Sequence, residues 1–158
     1  MSQSLGADEN ESCICSDALD DEGYVLGYPN SSGVVAKAAA GAAVYGVAYK
    51  STKNAQTGVA EANKPVAILR APKKAWVQAD TDANAIAIGD VVSVKGADAS
   101  GKVKKHAATA WPGTWAAATA ETIDDENSMI VGIARTALGA NLTGKIEVLL
   151  LCPIPLKQ

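Results

Sequence analysis

The fold is decided by the last two apolar runs of the chain, which lie in residues 128–151, SMIVGIARTALGANLTGKIEVLLL. The runs at 129–134 and 145–151 are rich in β-branched and aliphatic residues, which favour extended structure. Gly139 and Gly144 lie between them, and glycine is typical of the turns that connect strands. This stretch therefore predicts two strands that close an all-β domain.

An earlier stretch repeats this plan, because VYGVA at 44–48 is followed by a turn region at Gly58 and then by PVAIL at 65–69. Three further pairs match in chain order: 13–17 with 76–80, 23–26 with 89–92, and 33–37 with 101–105. A repeated pattern of this kind predicts a repeated structural unit. We therefore predict an internal duplication with two similar β-barrel-like or sandwich-like halves, residues 13–72 and 73–151.

Short apolar runs separated by Gly, Asn, Asp, Ser and Pro recur along both halves, a pattern typical of all-β sandwiches and barrels. They predict ten strands, at 13–16, 24–28, 34–37, 44–49, 66–70, 76–79, 91–95, 102–105, 129–135 and 145–151.

One segment of the second half has no counterpart in the first half, and it falls within residues 107–127. It contains Trp111, Pro112 and Trp115. Tryptophan is enriched among residues that anchor protein interfaces, so this insertion is a candidate contact element. The alternative is that the two tryptophans fold back over the core of their own chain.

The two ends of the chain differ from the body between them. Residues 1–12 are polar and acidic, and we expect a flexible arm. Residues 152–158 contain Pro153 and Pro155, which cannot donate ladder hydrogen bonds, so we expect an extended tail. Ile154 and Leu156 predict that this tail packs on a surface, either that of its own barrel or that of a neighbouring subunit.

The 158 residues carry a net charge of -3 and have a pI of about 5.1. Nucleic-acid binding depends on clustered Lys and Arg, so we expect no nucleic-acid partner. The N-terminus has neither a basic segment nor an apolar run, and no stretch approaches the ~20 apolar residues of a membrane span. We therefore expect synthesis in the cytoplasm and no membrane contact.

The residue types needed for catalysis or metal binding are sparse. His106 is the single histidine, and Cys13, Cys15 and Cys152 include no CxxC pair. Residues 96–102 and 139–145 imitate a phosphate-binding loop, but a strand follows each lysine where a helix should begin. We therefore predict no enzymatic activity, cofactor or metal.

Lys102 and Lys104 alternate with Val103 on a predicted strand, so both lysines project from one face of the sheet. A solvated sheet face is one interpretation. The other is a contact with an acidic partner, such as the acidic arm of a neighbouring copy.

Four segments of the second half together resemble the capsid decoration, or cement, proteins of tailed viruses. They are GDVV at 89–92, GKV at 101–103, IVGIA at 130–134 and GKIEVLL at 144–150. The resemblance covers residues 76–151 and extends to the first half through the internal repeat. Proteins of this family are small, β-rich and often encoded near the major capsid protein.

The resemblance implies a non-enzymatic protein that binds the outside of an assembled capsid and strengthens it against the pressure of the packaged DNA, commonly as a trimer. The major capsid protein would be its partner, and the virion surface its location. The insertion and the acidic arm depart from the family's pattern. The alternative is a carbohydrate- or receptor-binding β module of a virion surface or fibre, in which Trp111 and Trp115 would stack on sugar rings.

Overall fold

The computed structural model describes residues 11–39, 42–95, 99–107 and 130–151. Every regular element in these ranges is a β-strand, which confirms the predicted all-β fold. Each of the ten predicted strands overlaps an observed strand, with ends that differ by a residue or two. The strands are β1 (Glu11–Cys15), β2 (Val25–Gly27), β3 (Val34–Val35), β4 (Val44–Ala48), β5 (Lys64–Leu69), β6 (Lys74–Asp80), β7 (Val91–Val94), β8 (Val103–Lys105), β9 (Ile130–Ala134) and β10 (Thr143–Leu150).

The strands form two sheets, one from each half of the chain. The first sheet is open, with the order β2-β4-β5-β1-β3, and the second closes into a barrel with the order β10-β6-β8-β7-β9. In the barrel β7 pairs with both β8 and β9. At the matching place in the first sheet, the described residues pair only through an isolated bridge between Leu26 and Lys37.

The two sheets share strand neighbours, strand directions and register. The one parallel pair of each sheet, β1 with β3 and β6 with β8, places Cys15 opposite Val35 and Ala79 opposite Val103. The other strand pairs are antiparallel in both sheets. The register shifts at equivalent points, between Leu26 and Gly27 in β2 and between Val92 and Ser93 in β7. An origin of this match in a duplication stays a prediction.

The register corrects the predicted match of the first strands by one residue. The sequence comparison placed Cys13 opposite Trp76. In the structure Cys13 pairs with Val66 as Val77 pairs with Ile146, so Cys13 corresponds to Val77. A slip of one residue would exchange the buried and exposed faces of the strand, which the burial of Val77 excludes.

A glycine occupies the same place in β4 and β9 because a neighbouring backbone passes close to it. A Cβ atom on Gly132 would lie 2.1 Å from the carbonyl oxygen of Leu149. A Cβ atom on Gly46 would lie 2.6 Å from the carbonyl oxygen of Leu69. Neither position has room for a side chain.

The two sheets share one of the two hydrophobic clusters. The larger cluster combines the buried residues of the barrel with Val25, Val44 and Val47 of the first sheet. The smaller cluster lies within the first sheet, around Leu19 and Leu26. Because the larger cluster draws on both sheets, the predicted halves, residues 13–72 and 73–151, pack as one body.

Strand β1 begins inside the predicted arm of residues 1–12, since Glu11 and Ser12 already pair with Ile68 and Ala67 in β5. Residues 1–10, residues 108–129 and residues 152–158 are outside the described ranges. They include most of the predicted arm, the insertion from 108 onward and the predicted tail.

Candidate interaction surfaces

Of the residues predicted to bind a partner, the structure describes Lys102 and Lys104. Both are half-buried, and Val103 between them is fully buried, so the two lysines share the outer face as predicted. The other predicted residues are outside the described ranges, and they are Trp111, Pro112, Trp115, Pro153, Ile154, Pro155 and Leu156.

The face that carries the lysines already contains acidic groups. Lys104 Nζ lies 4.0 Å from Asp82 Oδ2, and Lys95 Nζ lies 2.9 Å from Asp80 Oδ1 and 3.0 Å from Asp82 Oδ1. The hydrogen bond from Lys95 lowers the pKa of the Asp82 carboxyl. An acidic segment that docked here would compete with Asp82 for Lys104, and the contact with a neighbouring copy stays a prediction.

A groove lies where both ends of the described body reach the surface. This exit groove is lined by Tyr28, Tyr45, Arg70, Leu150 and Leu151, among others, and has a volume of about 210 Å³. The rings of Tyr28 and Tyr45 meet edge to face, with centroids 5.1 Å apart. The guanidinium carbon of Arg70 lies 4.4 Å from the ring centroid of Tyr45, in a cation–π contact.

Glu11, the first residue of β1, connects the start of the body to the exit groove. Its carboxylate accepts a hydrogen bond from the Tyr45 hydroxyl, and its Oε2 lies 3.3 Å from Arg70 Nη1. Burial and this hydrogen bond raise the pKa of Tyr45 to about 12. Because Leu151 lines the same groove, the segments 1–10 and 152–158 both start from this side of the body.

Sequence reasoning missed the exit groove, although one signal was available. Tyr45 follows the buried Val44 in β4, so alternation along the strand points its side chain outward. The groove also needs Arg70, Leu151 and Glu11, which come from three distant parts of the chain. They meet through the strand order, which the sequence pattern does not specify.

A second groove, the Trp76 groove, lies between the two sheets and has a volume of about 150 Å³. Its lining includes Trp76 and Tyr49, which are 54% and 48% exposed, together with Glu22 and Glu147. Exposed aromatic rings offer an apolar face for stacking, and carboxylates accept hydrogen bonds from hydroxyl groups. This combination suits a sugar ring.

The seam between the two sheets is held by main-chain hydrogen bonds. The amide of Val25 donates to the carbonyl of Gly101 at 2.7 Å, and the amide of Gln78 donates to the carbonyl of Gly23 at 2.8 Å. The side-chain amide of Gln78 donates to the carbonyl of Glu22 at 2.9 Å. Residues 21–25 of the first half therefore dock on β6 and on the start of β8.

Charged groups add to this seam. Lys145 Nζ lies 2.9 Å from Asp21 Oδ1 and 3.4 Å from Glu22 Oε1. The hydrogen bond from Lys145 lowers the pKa of Asp21, and Asp21 in turn raises the pKa of Lys145. Gly23 has a φ of 90°, and a Cβ atom there would lie 2.7 Å from the carbonyl oxygen of Trp76. Only glycine fits this close approach.

The described ranges offer little metal or thiol chemistry. They contain no group of three or more His, Cys, Asp and Glu side chains that could hold a metal ion. Cys13 and Cys15 are free thiols, and burial raises the pKa of both, which disfavours the reactive thiolate. Residues 11–39, 42–95, 99–107 and 130–151 include no helix that could cross a membrane.

A comparison with protein-family models found no family that matches this chain, and a comparison with curated proteins found no match either. Function is therefore inferred from the residues and their geometry.

Proposed function

We propose that this protein is a non-enzymatic structural protein of a virion, which binds the outer surface of an assembled capsid and stabilises it. Its partner is the major capsid protein, and it acts as a homo-oligomer, for which the resemblance favours a trimer. The observation that carries the proposal is the exit groove, because both terminal segments start there from one side of a single body.

This arrangement suits a protein that fastens a lattice. Extended segments can add strands to a neighbour or pack on its surface, and main-chain hydrogen bonds then supply much of the affinity. Because Glu11 and Leu151 lie on one side of the body, a capsid surface on that side is within reach of both attached segments. Two sheets in one body with a shared core give both segments a firm base.

The resemblance supports the same function. The four segments that carry it form β7, β8, β9 and β10, with the turn that precedes β7. These four strands belong to the closed barrel. The residues that resemble decoration proteins are therefore the scaffold of the second half.

The test is binding to capsids assembled from the major capsid protein that the same genome encodes. We expect saturable binding at a fixed ratio of copies to capsid subunits, together with a higher unfolding temperature of the decorated capsid. Deletion of residues 1–10 or of residues 152–158 should weaken binding, while the circular dichroism spectrum of the body stays unchanged. Absence of saturable binding to expanded capsids would overturn the proposal.

A second candidate function, carbohydrate binding, is favoured by the Trp76 groove. Glycan binding that is lost in Trp76→Ala would support it, and Leu142→Ala is a matched control because Leu142 is also exposed, at 51%. Glycan binding of this kind, combined with no capsid binding, would replace the capsid function by the carbohydrate function.

A further inference from the structure

Each of the two faces that meet at the seam has a structural counterpart on the other sheet. Residues 21–25, which lead into β2, correspond to residues 87–91, which lead into β7. The seam face of the barrel contains Gln78, which pairs with Lys145, and its counterpart in the first sheet is Ile14, which pairs with Pro65.

Both counterparts are exposed, whereas Gly23 and Gln78 at the centre of the seam are buried; at its edge Asp21 is exposed and Glu22 is half-buried. Ile88 is 69% exposed and Ile14 is 39% exposed, whereas Gln78 is 8% exposed. Gly89 is also exposed, while its counterpart Gly23 is buried. The chain therefore uses one copy of each face internally and presents the other copy to solvent.

The exposed faces differ from the seam in their chemistry, and they differ in a complementary way. At the seam, Lys145 faces Asp21 and Glu22. On the exposed faces the lysine is replaced by Pro65, and the two acidic residues are replaced by Ala87 and Ile88. An ion pair has thus been exchanged for two apolar surfaces, which gain free energy when they leave water together.

Further features of the seam are kept in the exposed loop, whereas on the other face Ile14 pairs with Val34 of β3 and differs in this from Gln78. Gly89 has a φ of 91°, close to the 90° of Gly23. The amide of Gly89 donates to Ala134, just as that of Gly23 donates to Ala48. The exposed loop at residues 87–91 therefore has the shape that docks at the seam.

From this correspondence we propose that residues 87–89 of one chain dock through their apolar side chains on Ile14 and Pro65 of a second copy of this chain, at the place that corresponds to the seam. The contact is head to tail, because its two sides are different surfaces. Such a contact forms a ring if the rotation closes and an open chain of subunits if it does not. This contact goes beyond capsid binding and does not depend on it.

The test is the mass of the assembly, measured by sedimentation over a dilution series. We expect the wild-type protein to form species of more than one chain, and Ile14→Asp and Ile88→Asp each to sediment as a single chain. Val59→Asp is the control, because Val59 is 61% exposed and lies in neither face. This control variant should assemble like the wild-type protein, and circular dichroism should show that all three variants are folded.

Mixing the two variants tests the head-to-tail geometry. Ile14→Asp keeps an intact 87–89 face, and Ile88→Asp keeps an intact Ile14 face, so an equimolar mixture should form a species of two chains and none larger. Replacing Ile14→Asp by Ile14→Lys in this mixture should restore the second contact through a lysine–aspartate pair, so that species larger than two chains form and disperse at high salt.

Three results would overturn the proposal. The first is a wild-type protein that sediments as one chain at every concentration, which is the result expected if residues 108–129 of the same chain cover residues 87–89. The second is assembly of the two single variants like that of the wild-type protein. The third is a mixture of the two variants that contains single chains only.

Discussion

The two sheets have the same strand order and the same register, yet one is open and the other is a closed barrel. In the barrel β7 and β8 pair along three residues each, whereas the first sheet has one isolated bridge at that place. The open edge of the first sheet lies at the seam, where Val25 and Ala38 bond to Gly101 of the barrel. The comparison shows that one strand pattern can complete its hydrogen bonds within itself or by docking on a second unit.

The largest effect should come from the glycines that both sheets require. Gly132→Ala places a Cβ atom 2.1 Å from a backbone oxygen, so we expect it to lower the free energy of unfolding by at least about 4 kcal/mol. In Gly46→Ala the new Cβ atom would lie 2.6 Å from the equivalent oxygen, and we expect the free energy of unfolding to fall by about 2 kcal/mol. Urea denaturation measures both.

Gly27→Ala is the matched control for these two variants. It is a strand glycine whose nearest neighbour would lie 3.9 Å from the new Cβ atom. We expect a change within about 0.5 kcal/mol. A cost for Gly46→Ala equal to that for Gly132→Ala would contradict the difference in clearance between the two sheets.

Next in size is the effect of truncating the two cores. Ile146→Ala in the shared cluster and Leu26→Ala in the smaller cluster should each cost about 3 kcal/mol, because both side chains are fully buried. Both variants should still unfold in one transition, since Val25 of the first sheet belongs to the cluster of the barrel.

The aromatic residues allow each half to be followed separately. All four tyrosines lie in the first half and all three tryptophans in the second half. Because the two sheets share a core, the tyrosine and tryptophan signals should show the same unfolding midpoint in urea. Separate midpoints would show that the two sheets are independent, contrary to the shared core.

A smaller effect should follow from the ion pair of the seam. The folded pKa of Asp21 is lowered, so the stability that the pair contributes is present above the ordinary pKa of aspartate and is lost as the pH falls through the folded pKa. We expect Lys145→Met to cost about 0.5 kcal/mol at pH 7 and to weaken the loss of stability below about pH 4.

The matched control for the seam is Lys50→Met, which removes an exposed lysine. Thermal unfolding of the two variants would be compared between about pH 3 and pH 7, a range that includes the ordinary pKa of aspartate. If both variants followed the pH dependence of the wild-type protein, the ion pair would contribute nothing to the seam.

The smallest effect concerns the exit groove, which is lined mainly by residues of the first half. Burial and Glu11 raise the pKa of Tyr45 to about 12, so the contribution of this tyrosine to stability is present below pH ~10 and is lost as the pH rises toward 12. Glu11→Gln should lower the tyrosinate midpoint in the ultraviolet spectrum, whereas Glu61→Gln should leave it unchanged. An unchanged midpoint in Glu11→Gln would remove the link between β1 and the groove.

The sequence predicted the strands well because burial alternates along them. Val103 between Lys102 and Lys104 is one example, and the glycines at 46 and 132 marked equivalent strands. The offset of β1 against β6 was wrong by one residue, because Cys13 and Trp76 are both compatible with either face of a strand. The buried Val77 resolves this ambiguity only when the pairing with Ile146 is seen.

Closure and docking could not be predicted from the sequence. Val91–Val94 closes the barrel and Val25–Gly27 does not, although the two segments have similar apolar character. The difference lies in partners that are far apart in the chain, such as Gly101 for Val25. The same reason hid the exit groove, whose residues become neighbours only through the strand order.

We infer that the seam inside the chain has a second, exposed counterpart that docks on another copy. Hydrogen–deuterium exchange at low and high protein concentration tests it most directly. We expect amides near Ile14 and in residues 87–91 to become more protected at high concentration, while those in residues 21–25 exchange equally slowly at both. Exchange at Ile14 and in residues 87–91 that does not depend on concentration would contradict it.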